Sequence, residues 1–496
     1  DLGADYVGPA SQDANLEVLW RPATNLGYLG INAAHPPLDN PLVRQAIGHA
    51  LKAVDYERAA GLIEKNGMLM LRRGELTRLL GWLEQMPEEL IKARPWLSIY
   101  YAWELLLTGR LDSVEPVLRH AAEAGGEAGR RADLLGHATA IRSHAAATVG
   151  DLVRAVDLAH QALELLREEE LTVRSVLTFT LGGVYLLRGS LSEARQALEE
   201  ASAMGLAAGN IHLAVPALCN LANLEVEQGR LRRAEEIYRR AQKLATDARG
   251  DPLPAAAGAY SGLGELLYEW NDLEGAAQHL GEGIELGRRW GNVDALAGDY
   301  VTLATVYQAQ GHLNRALDTL QKAGELVVGH GVNPVTAAMV AASRARFFLV
   351  QGDLDRAAAW AQELAVELSG EPLYLRSSEY LTLARVYLAL NRFDQALATL
   401  QSQQRRAESE DRMGSLIRVL VIHAQVLQAQ AEHIQAMAAL ERALAIAQPE
   451  GYVRVFVDEG ESMSVLLGEA ASRGMAPGYV DRLLPVSYTH LRAHET

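Results

Sequence analysis

Gly189-Ser190-Leu191-Ser192-Glu193-Ala194 decides the fold, because the chain repeats it. The same phrase returns as Gly229-Arg230-Leu231-Arg232-Arg233-Ala234, Asn271-Asp272-Leu273-Glu274-Gly275-Ala276, Gly311-His312-Leu313-Asn314-Arg315-Ala316 and Gly352-Asp353-Leu354-Asp355-Arg356-Ala357. Upstream stand Gly150-Asp151-Leu152-Val153-Arg154-Ala155 and the shorter Gly109-Arg110-Leu111; downstream come Asn391-Arg392-Phe393-Asp394-Gln395-Ala396 and a weaker copy with Ala431, His433 and Ala436. The first residues fall at 109, 150, 189, 229, 271, 311, 352, 391 and 431, intervals of 39 to 42. Self-similarity at a fixed period of this length marks an array of stacked supersecondary units.

Each unit reads as a helical hairpin. Gly or Asn tolerates the left-handed backbone that ends a helix. The Asp or Ser that often follows, as at Asp151, Ser192 and Asp353, can start the next helix. Before the turn, Leu181-Gly182 with Tyr185, Leu221-Ala222, Leu263-Gly264, Leu303-Ala304 with Tyr307, and Leu383-Ala384 with Tyr387 form an apolar stripe. Its small residue admits a close neighbour and its tyrosine fills the gap. After the turn, Ala162, Ala201, Ala241 and Ala323 recur twelve residues beyond the Gly.

Composition agrees. The chain has 496 residues, 49% hydrophobic and 22% charged, enough apolar material to bury a core. A net charge of -16 without a lysine/arginine block excludes direct nucleic-acid binding, which needs clustered cations against phosphates. Cys219 is the single cysteine, so no internal disulfide forms and no cysteine-built zinc site exists. No apolar run approaches the ~20 residues of a membrane helix and no basic-then-apolar leader opens the chain. A cytoplasmic setting is expected, with neither membrane nor cofactor.

The paired helices resemble the tetratricopeptide consensus over roughly Val54–Gln448, with a unit longer than the usual ~34 residues. The expected fold is all-α, a right-handed superhelical solenoid of about 40 residues per repeat, its concave wall lined by the first helices.

Further stretches narrow the resemblance. Gly81-Trp82-Leu83-Glu84-Gln85-Met86-Pro87, Arg94-Pro95-Trp96-Leu97, Tyr101-Ala102-Trp103 and Gly451-Tyr452-Val453-Arg454-Val455-Phe456-Val457-Asp458-Glu459-Gly460, with Met463 and Leu466-Leu467, are similar to the central sensor region of the large LuxR-type transcriptional regulators, the group that includes the maltose-operon activator. That family carries a P-loop NTPase before the repeats and a helix-turn-helix after the segment matching Val455–Gly460. No Gly-x-x-x-x-Gly-Lys-Ser/Thr stretch occurs here and no basic recognition helix follows Leu484. The resemblance implies a ligand- or protein-sensing solenoid lacking both neighbours, in a truncated or chimeric frame. A stand-alone interaction scaffold is the alternative.

The ends read differently. Asn25–Asn32, Pro37–Asn40 and Val43–Ile47 resemble an internal stretch of oligopeptide-binding proteins of peptide transporters. Residues 1–52 are therefore expected to be a foreign-looking fragment, whose strand has no sheet to join and whose Pro41–Lys52 segment can extend the solenoid as a helix. Residues 53–448 form the repeat array and 449–484 a helical cap or linker. Residues 485–496 resemble translated sequencing adapter, so His490, His494 and Glu495 are not read as a metal site.

Candidate catalytic groups are few. Glu168-Glu169-Glu170 is a like-charge run at a solvated helix end. The histidines are scattered, and Cys219 sits in an apolar helix as a packing residue. Trp82, Trp96 and Trp103 read as core or capping aromatics of the first rungs. No catalytic or metal-binding residue is assigned.

Binding residues follow from the period. The position six before each turn, Trp103, His144, Gly183, Asn223, Glu265, Thr305, Arg346 and Arg385, is expected to face the groove. Asn223, Glu265, Thr305, Arg346 and Arg385 then make a polar ladder ending in two cations, where a protein partner or small-molecule inducer would sit. Arg346 and Arg385 can hold a carboxylate or phosphate in a forked pair. The competing reading makes all five ordinary solvated residues, with Glu265 balancing an arginine.

Overall fold

A computed structural model describes residues 16–19, 28–31, 41–72, 76–123, 128–330, 332–367 and 376–495. It divides into two compact units, Asp1–Thr180 with Ala207–His212, and Leu181–Leu206 with Leu213–Thr496.

The first unit contains β1 (Leu16–Leu19) and β2 (Tyr28–Ile31), paired antiparallel with Leu16 opposite Ile31 and Leu19 opposite Tyr28. The expectation of a strand without a partner is corrected: the segment supplies its own second strand, which satisfies the facing backbone groups. Helices follow: α1 (Pro41–Lys52), α2 (Tyr56–Arg72), α3 (Leu76–Leu83), α4 (Glu88–Ala93), α5 (Pro95–Leu107), α6 (Val114–Glu123), α7 (Ala128–Thr148), α8 (Leu152–Leu165) and the first part of α9 (Leu171–Arg188). Val43, Ile47, Ala50 and Leu51 of α1 share one helix face and are buried in a core with Ala59, Ala60 and Ile63 of α2, as the apolar spacing of that segment requires. Trp82 and Trp96 pack against the same core. Trp103, whose place in the row would face the groove, is buried, as its reading as a core aromatic requires.

The second unit continues from α9 through α10 (Leu191–Ala207), α11 (Ile211–Glu227), α12 (Leu231–Leu244), α13 (Ala257–Glu269), α14 (Leu273–Trp290), α15 (Val293–Ala309), α16 (Leu313–His330), α17 (Pro334–Val350), α18 (Leu354–Glu367), α19 (Ser377–Ala389), α20 (Phe393–Ser409), α21 (Met413–Ala429) and α22 (His433–Ala447). Three further helices close it: α23 (Arg454–Val457), α24 (Gly460–Ser472) and α25 (Pro477–Glu495). The side chains of 488–496, and with them His490, His494 and Glu495, lie outside the described residues.

One turn chemistry ends the first helix of the hairpins. Gly229 has φ +78°; its N–H donates to Val226 O at 2.9 Å and the Arg230 N–H reaches back to Glu225 O at 2.8 Å. The same pair of bonds occurs at Asn271, Gly311, Gly352 and Asn391, so the punctuating residue is the one that must adopt the left-handed backbone. Asp151 and Asp353 cap the following helix through the N–H groups of Arg154 and Arg356. Ser192 does not. It lies inside α10 and donates to Glu193 at 2.8 Å, because Ser190 holds the position before the helix. The small residues allow the expected close approach: a Cβ on Gly264 would stand 2.7 Å from Leu280 Cγ and 3.2 Å from Ala276 O. Ala162, Ala201, Ala241 and Ala323 are fully buried.

The second unit also meets itself at long range. Ser415 donates to Glu227 at 2.8 Å, Gln228 to Asp411 at 3.3 Å and Arg412 Nη2 to Leu186 O at 2.7 Å. Arg412 is buried between Glu410, at 2.6 Å, and Glu227, at 3.7 Å. A Cβ on Gly414 would lie 2.4 Å from Val226 O, so only glycine permits this approach. The turns after α9 and α11 therefore touch the start of α21, and the solenoid of this unit closes into a turn around an interior.

No helix among the described residues is long and apolar enough to cross a membrane. No described group of three or more His, Cys, Asp or Glu side chains could hold a metal ion.

Candidate ligand-binding cavity

The interior of the second unit is lined by the first helices of successive hairpins, and each contributes through the period found in the sequence. Glu265 on α13, Thr305 on α15, Arg346 on α17 and Arg385 on α19 border one cavity of about 250 Å³. Asn223 does not border it. Its side-chain oxygen accepts from the buried Tyr238 hydroxyl of α12, which ties it to its own hairpin.

The opposite wall is the segment after α22. Gly451, with φ +75°, turns the chain inward. Val453 N–H donates to Glu269 O and Val455 N–H to the Glu269 carboxylate, each at 2.9 Å, while Trp270 Nε1 donates to Glu450 O at 2.9 Å. Tyr452, Phe456 and Val457 are fully buried and anchor the segment, so its acidic end is delivered to the groove.

That end meets the two predicted cations. Arg385 grips the Glu459 carboxylate in a forked pair, with Nε at 3.0 and 3.1 Å and Nη2 as a second donor. Both side chains are largely withdrawn from solvent, at 16% and 7% exposure, where such a pair is worth more than at the surface. Arg346 approaches Asp458 at 3.9 Å, too far for a hydrogen bond. Asp458 also accepts from the Tyr268 hydroxyl and pairs with the buried Arg454, which donates to Asn271 at 3.1 Å. In the reading where Glu265 balances an arginine, that arginine is Arg418, while Asp458 and Glu459 serve Arg346 and Arg385.

Glu265 keeps an exposed surface yet is walled in by the groove, and this partial removal from bulk water raises its carboxyl above the usual range. Burial pushes Glu269 up to about 7, against the pull of Arg418. Burial acts to lower Arg346, but Glu459 and Asp458 more than offset it, and its guanidinium stays charged.

A second cavity of about 410 Å³ shares Arg346, Arg385 and Arg418. Among the described residues its acidic lining residue is Glu227, and Ser343, Ser377, Ser378, Thr382 and Ser415 also line it.

Sequence reasoning missed Tyr268, Arg418, Arg454, Asp458 and Glu459. One signal was present: carrying the groove row one period further, to the Ala431 turn, gives Gln425, which donates to Glu459 O at 2.9 Å. Elsewhere, Cys219 is buried and its thiol is pushed up to about 12, as a packing residue requires. Glu168 and Glu169 are exposed in a turn. His144, the row's second member, bonds to Thr180 at 2.8 Å within the first unit.

Residues 136–473, more than half of the chain and including the whole cavity, match the family described as the MalT-like TPR region. The chain belongs to this family. Among curated members, the HTH-type transcriptional regulator MalT of Vibrio campbellii is 23% identical over 444 residues, 89% of this chain and 49% of that protein. The MalT regulator of Serratia proteamaculans is 24% identical over 460 residues, 92% of this chain and 51% of that protein. The chain thus spans about half the length of the curated MalT relatives it matches. Among solved structures, NprR in complex with its cognate peptide NprX has a TM-score of 0.48 at 13% identity, covering 74% of this chain and 97% of that one.

Proposed function

We propose that this MalT-like TPR chain is the sensor part of a LuxR-type transcriptional regulator, with a cytoplasmic small-molecule inducer bound inside the second unit. The observation that carries the reading is the cavity itself: Glu265, Thr305, Arg346 and Arg385, drawn from separate repeats, border one space with the segment after α22 as its far wall. Its size suits a small molecule better than a folded partner. Arginines, hydroxyls and ion-paired carboxylates serve recognition, which favours binding over catalysis. Asn223 belongs to this reading as a residue that steadies the wall through Tyr238.

A thermal-shift screen of the purified chain against polar metabolites tests it. The expected result is a compound that raises Tm, with the effect lost in Thr305→Ala and reduced at least about tenfold in affinity by Glu265→Ala, the scale of one hydrogen bond to a charged group. Compounds that bind equally well to both variants would move the site elsewhere. Capture of a partner polypeptide with no small-molecule hit would favour the stand-alone scaffold.

A further inference from the structure

Among the described residues that line it, the second cavity brings together Arg346, Arg385 and Arg418 with one carboxylate, Glu227, while Glu459 and Asp458 meet Arg385 and Arg346 from the neighbouring cavity. Arg346 makes no hydrogen bond among the described residues; its one ion pair is the 3.9 Å contact with Asp458. A guanidinium fork held in a groove wall beside the hydroxyls of Ser343, Ser378 and Thr382 is suited to oxygens of an oxyanion. Arg385 already shows the matching chemistry, because a carboxylate from the chain itself, Glu459, sits in its fork.

Resting on the sensor reading above, we propose that the inducer carries a phosphate or carboxylate group, and that this oxyanion binds Arg346 and takes the Arg385 fork from Glu459. Binding and release of the wall segment are then one event. Glu459 precedes Gly460, whose φ is +73°, and its carbonyl is held by Gln425, so loss of the Arg385 pair loosens the junction between α23 and α24. The upstream end of the segment reports on the change, since the Trp270 indole is bonded to Glu450 O.

Titration calorimetry on the full chain, with inorganic phosphate and citrate as probes and glucose as the neutral control, tests the proposal. Wild type is expected to bind at least one of the anions and to ignore glucose. Arg346→Lys, which keeps the charge and removes the fork, is expected to weaken binding about tenfold, and Glu459→Gln to strengthen it about fivefold by freeing Arg385. Trp270 emission, identified by its loss in Trp270→Phe, is expected to shift with anion and not with glucose. Preference for phosphate or for citrate assigns the head group. Absence of anion binding in both wild type and Glu459→Gln overturns the proposal, as does binding indifferent to both substitutions, which marks an adventitious ion only. A neutral metabolite that binds through Thr305 while neither anion does would leave the sensor reading standing and remove the oxyanion.

Discussion

Glu104 shows how far a single side chain can set the behaviour of the first unit. It is fully buried on α5, and neither carboxyl oxygen has a hydrogen-bond partner among the described residues. Burial alone pushes its carboxyl up to about 8, from an ordinary value of 4.5. The folded chain therefore keeps a proton that the unfolded chain releases as pH climbs past the ordinary value. The contribution of Glu104 to stability is greatest in acid and falls as pH rises from about 4.5 to about 8, by at most about 1.4 kcal/mol per pH unit, then levels off. Glu104→Gln, neutral throughout, is expected to raise Tm at pH 8 and to narrow the Tm difference between pH 5 and pH 8. An unchanged pH dependence in the variant would place the buried proton elsewhere.

Helix endings are the element at which this chain is most readable. The positions punctuated by Gly or Asn adopt left-handed backbone, and so does Ala431, at φ +62°. Alanine pays for that conformation with roughly 1 kcal/mol of steric strain between Cβ and the backbone. Ala431→Gly is accordingly expected to stabilise the second unit by up to about 1 kcal/mol, seen as a higher urea midpoint with an unchanged slope; a lower midpoint would mean the strain is already relieved. The hairpins, their small-residue contacts and the cavity-lining positions of Glu265, Thr305, Arg346 and Arg385 were legible because the period repeats them. The wall segment was not. Tyr452–Glu459 has no repeat to compare with, and its bonds to Glu269, Arg346 and Arg385 join positions far apart in the chain, where local propensity carries no signal. Asn223 failed for a related reason: its position in the row was right, but the Tyr238 hydroxyl that claims it comes from outside the pattern. Ser192 shows the reverse case, in which a good capping residue stands two places too late to cap.

At the scale of the closed unit, Arg412 has the widest reach. In an open solenoid each repeat answers only to its neighbours, and unfolding can begin at either end. Here Arg412 ties the start of α21 to Leu186 O, 226 residues away, and is itself ion-paired in a buried position. Arg412→Ala leaves Glu410 without that partner and breaks the tie; a loss of about 3 kcal/mol is expected. Calorimetry is expected to show the unfolding of this unit broaden or split, since distant hairpins no longer share one transition. A variant that loses stability but keeps a single sharp transition would show that cooperativity comes from neighbour contacts alone. The closure has an evolutionary side as well. Open arrays lengthen by tandem duplication, each added copy finding the same neighbour as the last. Between Gly189 and Arg412 that route is barred: one extra copy would carry Arg412 past Leu186 by a full rung, and Gly414 would face the wrong carbonyl. The contacts of Arg412 and Gly414 thus fix the number of repeats in that arc.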